Sequence, residues 1–309
     1  RLPSTSPRAY LRVTLAAQFL LGFIIVSGAA VRLTGSGLGC TDWPTCEDGS
    51  IVAPLEFHPM VEFGNRLVTG AVSAIVILAV LGSLARVPRR RDLVRLSLGL
   101  VAGVLGQIVL GGLTVLFHLA PPLVMSHFLL SMVILWCAVV LHHRAGLPDD
   151  AAGTVALAAP SVSQLGRAVA VAAAVVVLSG TIVTGTGPHP GAHEGELIER
   201  LPFSLHDVAR LHGALVVAFC GLVLLTIVRL VRTGAAPSAV RRAEVLLAVL
   251  VAQAAIGYTQ YFIGVPALLV GFHVAGAVLV WVAALRFALG LRGAVAPAEA
   301  AEPAVLVAG

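Results

Sequence analysis

Long apolar runs without charged residues alternate with short polar stretches along the whole chain. The runs occupy residues 13–31, 67–85, 96–117, 119–141, 168–188 and 213–228, and a longer one at 245–285 is interrupted only by His273. That last run is too long for one span, and Gly264-Val265-Pro266 supplies a turn that divides it in two. Eight membrane-crossing helices are therefore predicted. The first run has the length of a full span, and no small-residue cleavage site followed by soluble sequence comes after it. It is expected to be a helix rather than a removed signal.

The pattern repeats. Gln107, Gly111 and His127 recur as Gln253, Gly257 and His273, each 146 positions later, so helices three and four map onto seven and eight without a gap. Asn65 maps onto His212 at an offset of 147, and "SGAAVRLTGSG" at the end of helix one resembles "SGTIVTGTG" at the end of helix five. Four helices return the chain to the same side, so the repeat is parallel. The fold class expected is all-α, with eight transmembrane helices as two four-helix bundles related by a pseudo-twofold axis. The units read as residues 1–144 and 167–292, a linker at 145–166 and a disordered tail at 293–309.

Composition fits this picture, with 58% hydrophobic and 11% charged residues in 309. The chain has no lysine, and its arginines give an orientation. With the N-terminus in the cytoplasm, sixteen fall on that side, and only Arg32, Arg66, Arg200 and Arg210 fall on the other. A cell-membrane protein with both termini cytoplasmic is expected. The positive charge is dispersed over five segments with no stacking aromatics, which argues against a nucleic-acid partner.

Polar residues inside the helices carry the candidate chemistry. Asn65, His127, His212 and His273 each lie within about two turns of the outer start of helix two, four, six or eight, forming the pairs Asn65 with His127 and His212 with His273. A lone membrane histidine commonly hydrogen-bonds a neighbouring helix. Two at matched depth on corresponding helices of a duplicated bundle point instead to a transmembrane haem held between imidazoles. Arg32, Arg66 and Arg210 lie at the same rim, suited either to haem propionates or to interfacial snorkelling. Glu62 has two readings as well: an interfacial partner of Arg66 one turn on, or a functional carboxylate. Its equivalent in the second half is Ala209, which favours chemistry confined to one bundle. Cys40 and Cys46 lie in the first outer loop, where a disulfide is favoured over a zinc site because two cysteines alone leave the metal shell incomplete. His118, His142, His143, His189, His193 and His206 are not expected to bind iron.

The residues "TGSGLGCTDWPTC" (34–46), "EFGNR" (62–66) and the single histidines opening helices four, six and eight resemble the haem A synthase family over roughly residues 10 to 290. The resemblance implies oxidation of a porphyrin methyl group of haem O to a formyl group by successive hydroxylations, with the product passed to cytochrome oxidase. It implies haem b as cofactor on His212 and His273 in the C-terminal bundle, the substrate haem on His127 in the N-terminal bundle, and Glu62 as the catalytic carboxylate. Haem O synthase and an electron-transfer protein would be its partners. The chain departs from the family's Glu-x-x-His-Arg pattern at Asn65, a poor iron ligand. His58, seven residues earlier, is the candidate replacement, and a five-coordinate substrate haem is the alternative preferred here. No second cysteine pair occurs at 187–206. A bis-histidine electron-transfer cytochrome b and an eight-helix transporter are the competing classes. The first needs no half-specific glutamate, and the second usually has broken helices at the midplane.

Overall fold

The structure, a computed structural model, describes residues 4–149, 154–156, 159–193 and 196–294. Its helices are α1 (Pro7–Leu33), α2 (Phe57–Ala85), α3 (Arg91–Leu116), α4 (Pro121–Ala145), α5 (Pro160–Thr186), α6 (Leu205–Arg232), α7 (Pro237–Phe262) and α8 (Ala267–Leu289). All eight are long and apolar enough to cross a membrane.

Local chemistry sets their ends. Proline opens α1, α4, α5 and α7, where its missing N–H costs nothing. Ser6 and Ser204 cap α1 and α6 by accepting from the N–H groups of Ala9 and Asp207. The turn expected at 264–266 separates α7 from α8. Gly264 adopts φ 85° and Val265 φ 57°, and the Val265 N–H donates to Gln260 O at 2.7 Å. Left-handed backbone is costly for a β-branched residue, and the His189 side chain holds this one through Val265 O at 2.8 Å.

Several helices start before their apolar runs, α6 at Leu205 and α7 at Pro237 among them, and two of the starts have a physical reason in the sequence. The α2 helix begins ten residues before its uncharged run at 67, because Glu62 and Arg66 neutralise each other within the helix. The α5 helix begins at Pro160, inside the stretch expected as linker; residues up to Arg167 carry no charge, and Val162 and Gly166 are already buried. A two-stranded antiparallel ribbon, β1 (Thr154–Ala156) with β2 (Arg292–Ala294), joins the linker to the chain after α8. The expected tail lies, after residue 294, outside the described residues.

The helices form two rings. In the first, α1 packs on α2, α2 on α3, α3 on α4 and α4 on α1, and α5 to α8 repeat this order. The rings meet through α1 with α8, α4 with α5, and α4 with α8, a set that maps onto itself when the two halves are exchanged. This is the pseudo-twofold pair of four-helix bundles. One apolar core runs through both, including Leu135, Leu285, Phe219 and Phe287. Small buried residues such as Ala17, Ala138, Ala173 and Ala284 let backbones approach, as packing in lipid requires. Trp281 on α8 donates its indole N–H to Met132 O on α4 at 3.0 Å, closing the seam between the rings. Large apolar side chains such as Phe19, Val171, Val231 and Leu279 lie on the outside, suited to a hydrocarbon solvent.

Candidate functional site

The repeat places three imidazoles in matching cradles. On α6, His212 Nδ1 lies 2.8 Å from the Ser179 hydroxyl of α5, and a methyl group on Gly180 would sit 3.3 Å from the ring. On α8, His273 packs over Gly257 of α7, where a methyl group would sit 2.9 Å from Cε1. Gln253 fixes the same turn of α8 by donating to His273 O at 2.7 Å. His127 on α4 repeats this arrangement: it packs over Gly111 of α3, and Gln107 donates to His127 O at 2.9 Å. The bare Cα of Gly257 is what leaves room for its ring, and Gly180 and Gly111 let theirs approach closely.

His212 and His273 face each other across the C-terminal bundle with ring centroids 6.4 Å apart. An imidazole nitrogen sits about 2 Å from a first-row metal, so two imidazoles sharing one ion from opposite sides would have centroids roughly 6 Å apart. The observed separation fits that requirement. Ser179 occupies Nδ1 of His212, and His273 Nδ1 is buried without a partner. Neither Nε2 has a hydrogen bond among the described residues, so both stay free for a metal. A porphyrin iron fits this donor set, and His127 offers the same free Nε2 in the first bundle.

The N-terminal bundle departs at the fourth position. Asn65 on α2 stands where His212 stands on α6, and its Oδ1 accepts from the Ser27 hydroxyl of α1 at 2.7 Å. Ser27 thus repeats the role of Ser179. The glycine that follows it, Gly28, has nothing within 4 Å of where a side chain would begin.

Glu62 lies three residues before Asn65, on the same face of α2. It is 7% exposed. One carboxylate oxygen accepts from the Cys40 N–H at 2.9 Å and the other from Arg66 at 2.7 Å. Arg66 also donates to Thr45 O at 2.8 Å and Asp42 O at 3.3 Å. The pair thus clamps the ring closed by the Cys40–Cys46 disulfide, which forms in place of a metal site. Trp43 of that ring packs against Gly112 of α3, so the loop spans this end of the bundle from α2 to α3. The interfacial pairing read from the sequence is present, and it holds the carboxylate against the loop.

The other polar residues expected near that end of the helices are used differently from one another. His58, in the first turn of α2, bonds the Ser36 hydroxyl through Nδ1 at 3.0 Å and stacks on His193 of the α5–α6 loop, centroids 5.4 Å apart. Arg32 donates to Thr184 O at 2.8 Å and so ties α1 to the end of α5. Arg200 donates to the carbonyls of Thr184 and Gly187 at 2.7 and 2.6 Å, and burial pushes its pKa below the usual arginine value. Arg210 is exposed. His142 bonds Thr14, and His206 bonds Tyr261. Among the described residues no group of three or more histidine, cysteine, aspartate or glutamate side chains could hold a metal ion.

Sequence reasoning used Gly111 and Gly257 as repeat markers and gave no role to Ser27, Gly28, Ser179 and Gly180, which lie beside Asn65 and His212. The signal was present, since Ser27-Gly28 and Ser179-Gly180 open the two related segments.

The sequence matches the family of cytochrome oxidase assembly proteins, COX15-CtaA, over residues 11–58 and 55–285. The chain belongs to that family. With its eight apolar helices it is a multi-pass membrane protein. It is similar to proteins named "Heme A synthase". That of Bacillus licheniformis is 30% identical over 36% of this chain and 37% of its own length. That of Alkalihalophilus pseudofirmus is 30% identical over 46% of each chain, and that of Symbiobacterium thermophilum 34% identical over 47% of each. The aligned stretch spans less than half the length of each of these relatives.

Proposed function

We propose that this member of the family is a haem A synthase, oxidising the methyl group of haem O to a formyl group by successive hydroxylations. The observation that carries the proposal is the asymmetry built onto the repeat. One bundle holds two facing imidazoles, while the other holds one imidazole and, on the opposite helix, a buried carboxylate under a closed loop. A cofactor site and a substrate site are the simplest division of labour between them.

In this reading His212 and His273 hold haem b, which supplies one-electron chemistry when bound. His127 holds the haem O iron in the N-terminal bundle. Glu62, kept in place by the Cys40 N–H and Arg66, sits on the helix face that carries Asn65. There it accepts a proton or positions water at the methyl carbon. The loop closed by Cys40 and Cys46 excludes bulk water from that end, and Trp43 anchors it to α3. The working units are the bundle of α1 to α4 for the substrate and that of α5 to α8, starting at Pro160, for the cofactor. The arginine distribution supports the cell membrane as location, with both termini cytoplasmic and the site near the outer face. Cytochrome oxidase assembly consumes the product. Haem O synthase and an electron-transfer protein are the partners the reaction calls for.

The test is expression of the full chain in a host that makes haem O and no haem A, followed by chromatography of extracted haems. The expected result is a new haem A peak. Haem O alone, from cells in which the protein is present and carries haem, would overturn the assignment.

A further inference from the structure

Three of the four matched positions in the two bundles carry an imidazole over a glycine, and the fourth carries neither ring nor filling. A methyl group on Gly257 would collide with His273 at 2.9 Å, and one on Gly180 or Gly111 would press on His212 or His127 at 3.3 Å. One on Gly28 would meet nothing within 4 Å. The supporting hydroxyl is nevertheless retained, with Ser27 bound to Asn65 at 2.7 Å where Ser179 is bound to His212 at 2.8 Å. Bundle one therefore keeps the recess for a second imidazole and lines it with a shorter carboxamide.

From this geometry we propose that the haem held by His127 is five-coordinate on the protein side, and that Ser27, Gly28 and Asn65 form a pocket admitting a small neutral ligand, water or a diatomic gas, to the open face of its iron. The inference rests on the assignment of the N-terminal bundle as a haem site. With Asn65 Oδ1 committed to Ser27, the amide N–H groups of Asn65 have no partner among the described residues. A hydrogen-bond donor beside an open axial position is the feature that lets a haem pocket retain a polar diatomic ligand. A carboxamide three bonds from the helix is also too short to reach an iron centred for an imidazole. His58 does not fill the gap. It lies seven residues earlier on α2, about 10 Å along the axis, where its ring is engaged by Ser36 and His193.

The experiment uses the purified full-length protein loaded with haem in detergent, with carbon monoxide as probe of the reduced form and electron paramagnetic resonance of the oxidised form. In the wild type one haem is expected to bind carbon monoxide and to give a high-spin ferric signal, while the haem on His212 and His273 stays low-spin and unreactive. Asn65→His should abolish both the carbon monoxide response and the high-spin signal. Asn65→Ala, which leaves the pocket open and removes the amide donor, should keep the high-spin signal and bind carbon monoxide more weakly, and His58→Ala should preserve both. Two bound haems that are both low-spin and inert to carbon monoxide in the wild type would overturn the inference, as would a carbon monoxide response that appears only in His58→Ala. His127→Ala separates the inference from the assignment beneath it. Loss of one haem supports the N-terminal site, whereas an unchanged haem inventory removes that site and the pocket with it.

Discussion

At the residue scale, two pairs of polar groups that stood out against apolar sequence come together in the fold, His212 with His273 and Glu62 with Arg66. A histidine or glutamate inside a lipid-spanning run is costly enough to be visible without any alignment. Ser27 and Ser179 were not visible in that way, because a serine in a helix usually bonds its own backbone, and both of these also contact Ile24 O and Val176 O. Their second contact, to Asn65 and His212, appears only in three dimensions. Glu62 is the residue on which chemistry and structure are hardest to separate, since it is also the clamp on the disulfide loop. Glu62→Gln keeps the size but removes the charge and one of the two acceptor oxygens that the Cys40 N–H and Arg66 use. It should lower haem A yield on the order of a hundredfold while leaving the haem on His212 and His273 spectroscopically unchanged. A normal yield would reduce Glu62 to a structural role.

At the scale of elements, eight helices could be read from eight apolar stretches, and the turn at Gly264-Val265-Pro266 was legible because those residues are poor helix formers in an otherwise unbroken run. The starts of α2 and α5 were not legible. Counting charges ends a segment at Glu62 and Arg66, whereas the helix continues through them as an i,i+4 pair. The three-residue strands β1 and β2 are too short to leave a period. The glycines facing the imidazoles yield a paired expectation. Gly257→Ala pushes a methyl group to 2.9 Å from His273 and should distort the low-spin spectrum at a cost of about 1–3 kcal/mol. Gly28→Ala enters open space and should be neutral in thermal unfolding or gain about 0.5–1 kcal/mol from helix propensity. Equal effects of the two would contradict the difference between the bundles.

At the scale of the whole molecule, the duplicated sequence becomes two rings joined through α1, α4, α5 and α8, with α2, α3, α6 and α7 away from the seam. The repeat was legible because Gln107, Gly111 and His127 return at a constant spacing, and the structure gives the reason: each set builds one complete cradle. The loops after α1 and α5 cross between the halves, through Arg32 to Thr184 O and the Gly37 N–H to Gly191 O at 2.7 Å, which no periodicity encodes. The two halves are alike in scaffold and unlike in the side chains at the matched positions, and the proposal that one bundle carries a cofactor haem and the other a substrate haem rests on that contrast. Pigment analysis of the purified protein tests it most directly. Haem b together with haem O or haem A is the result expected; haem b alone would instead indicate an electron-transfer cytochrome, and a protein free of haem would contradict the account at its root.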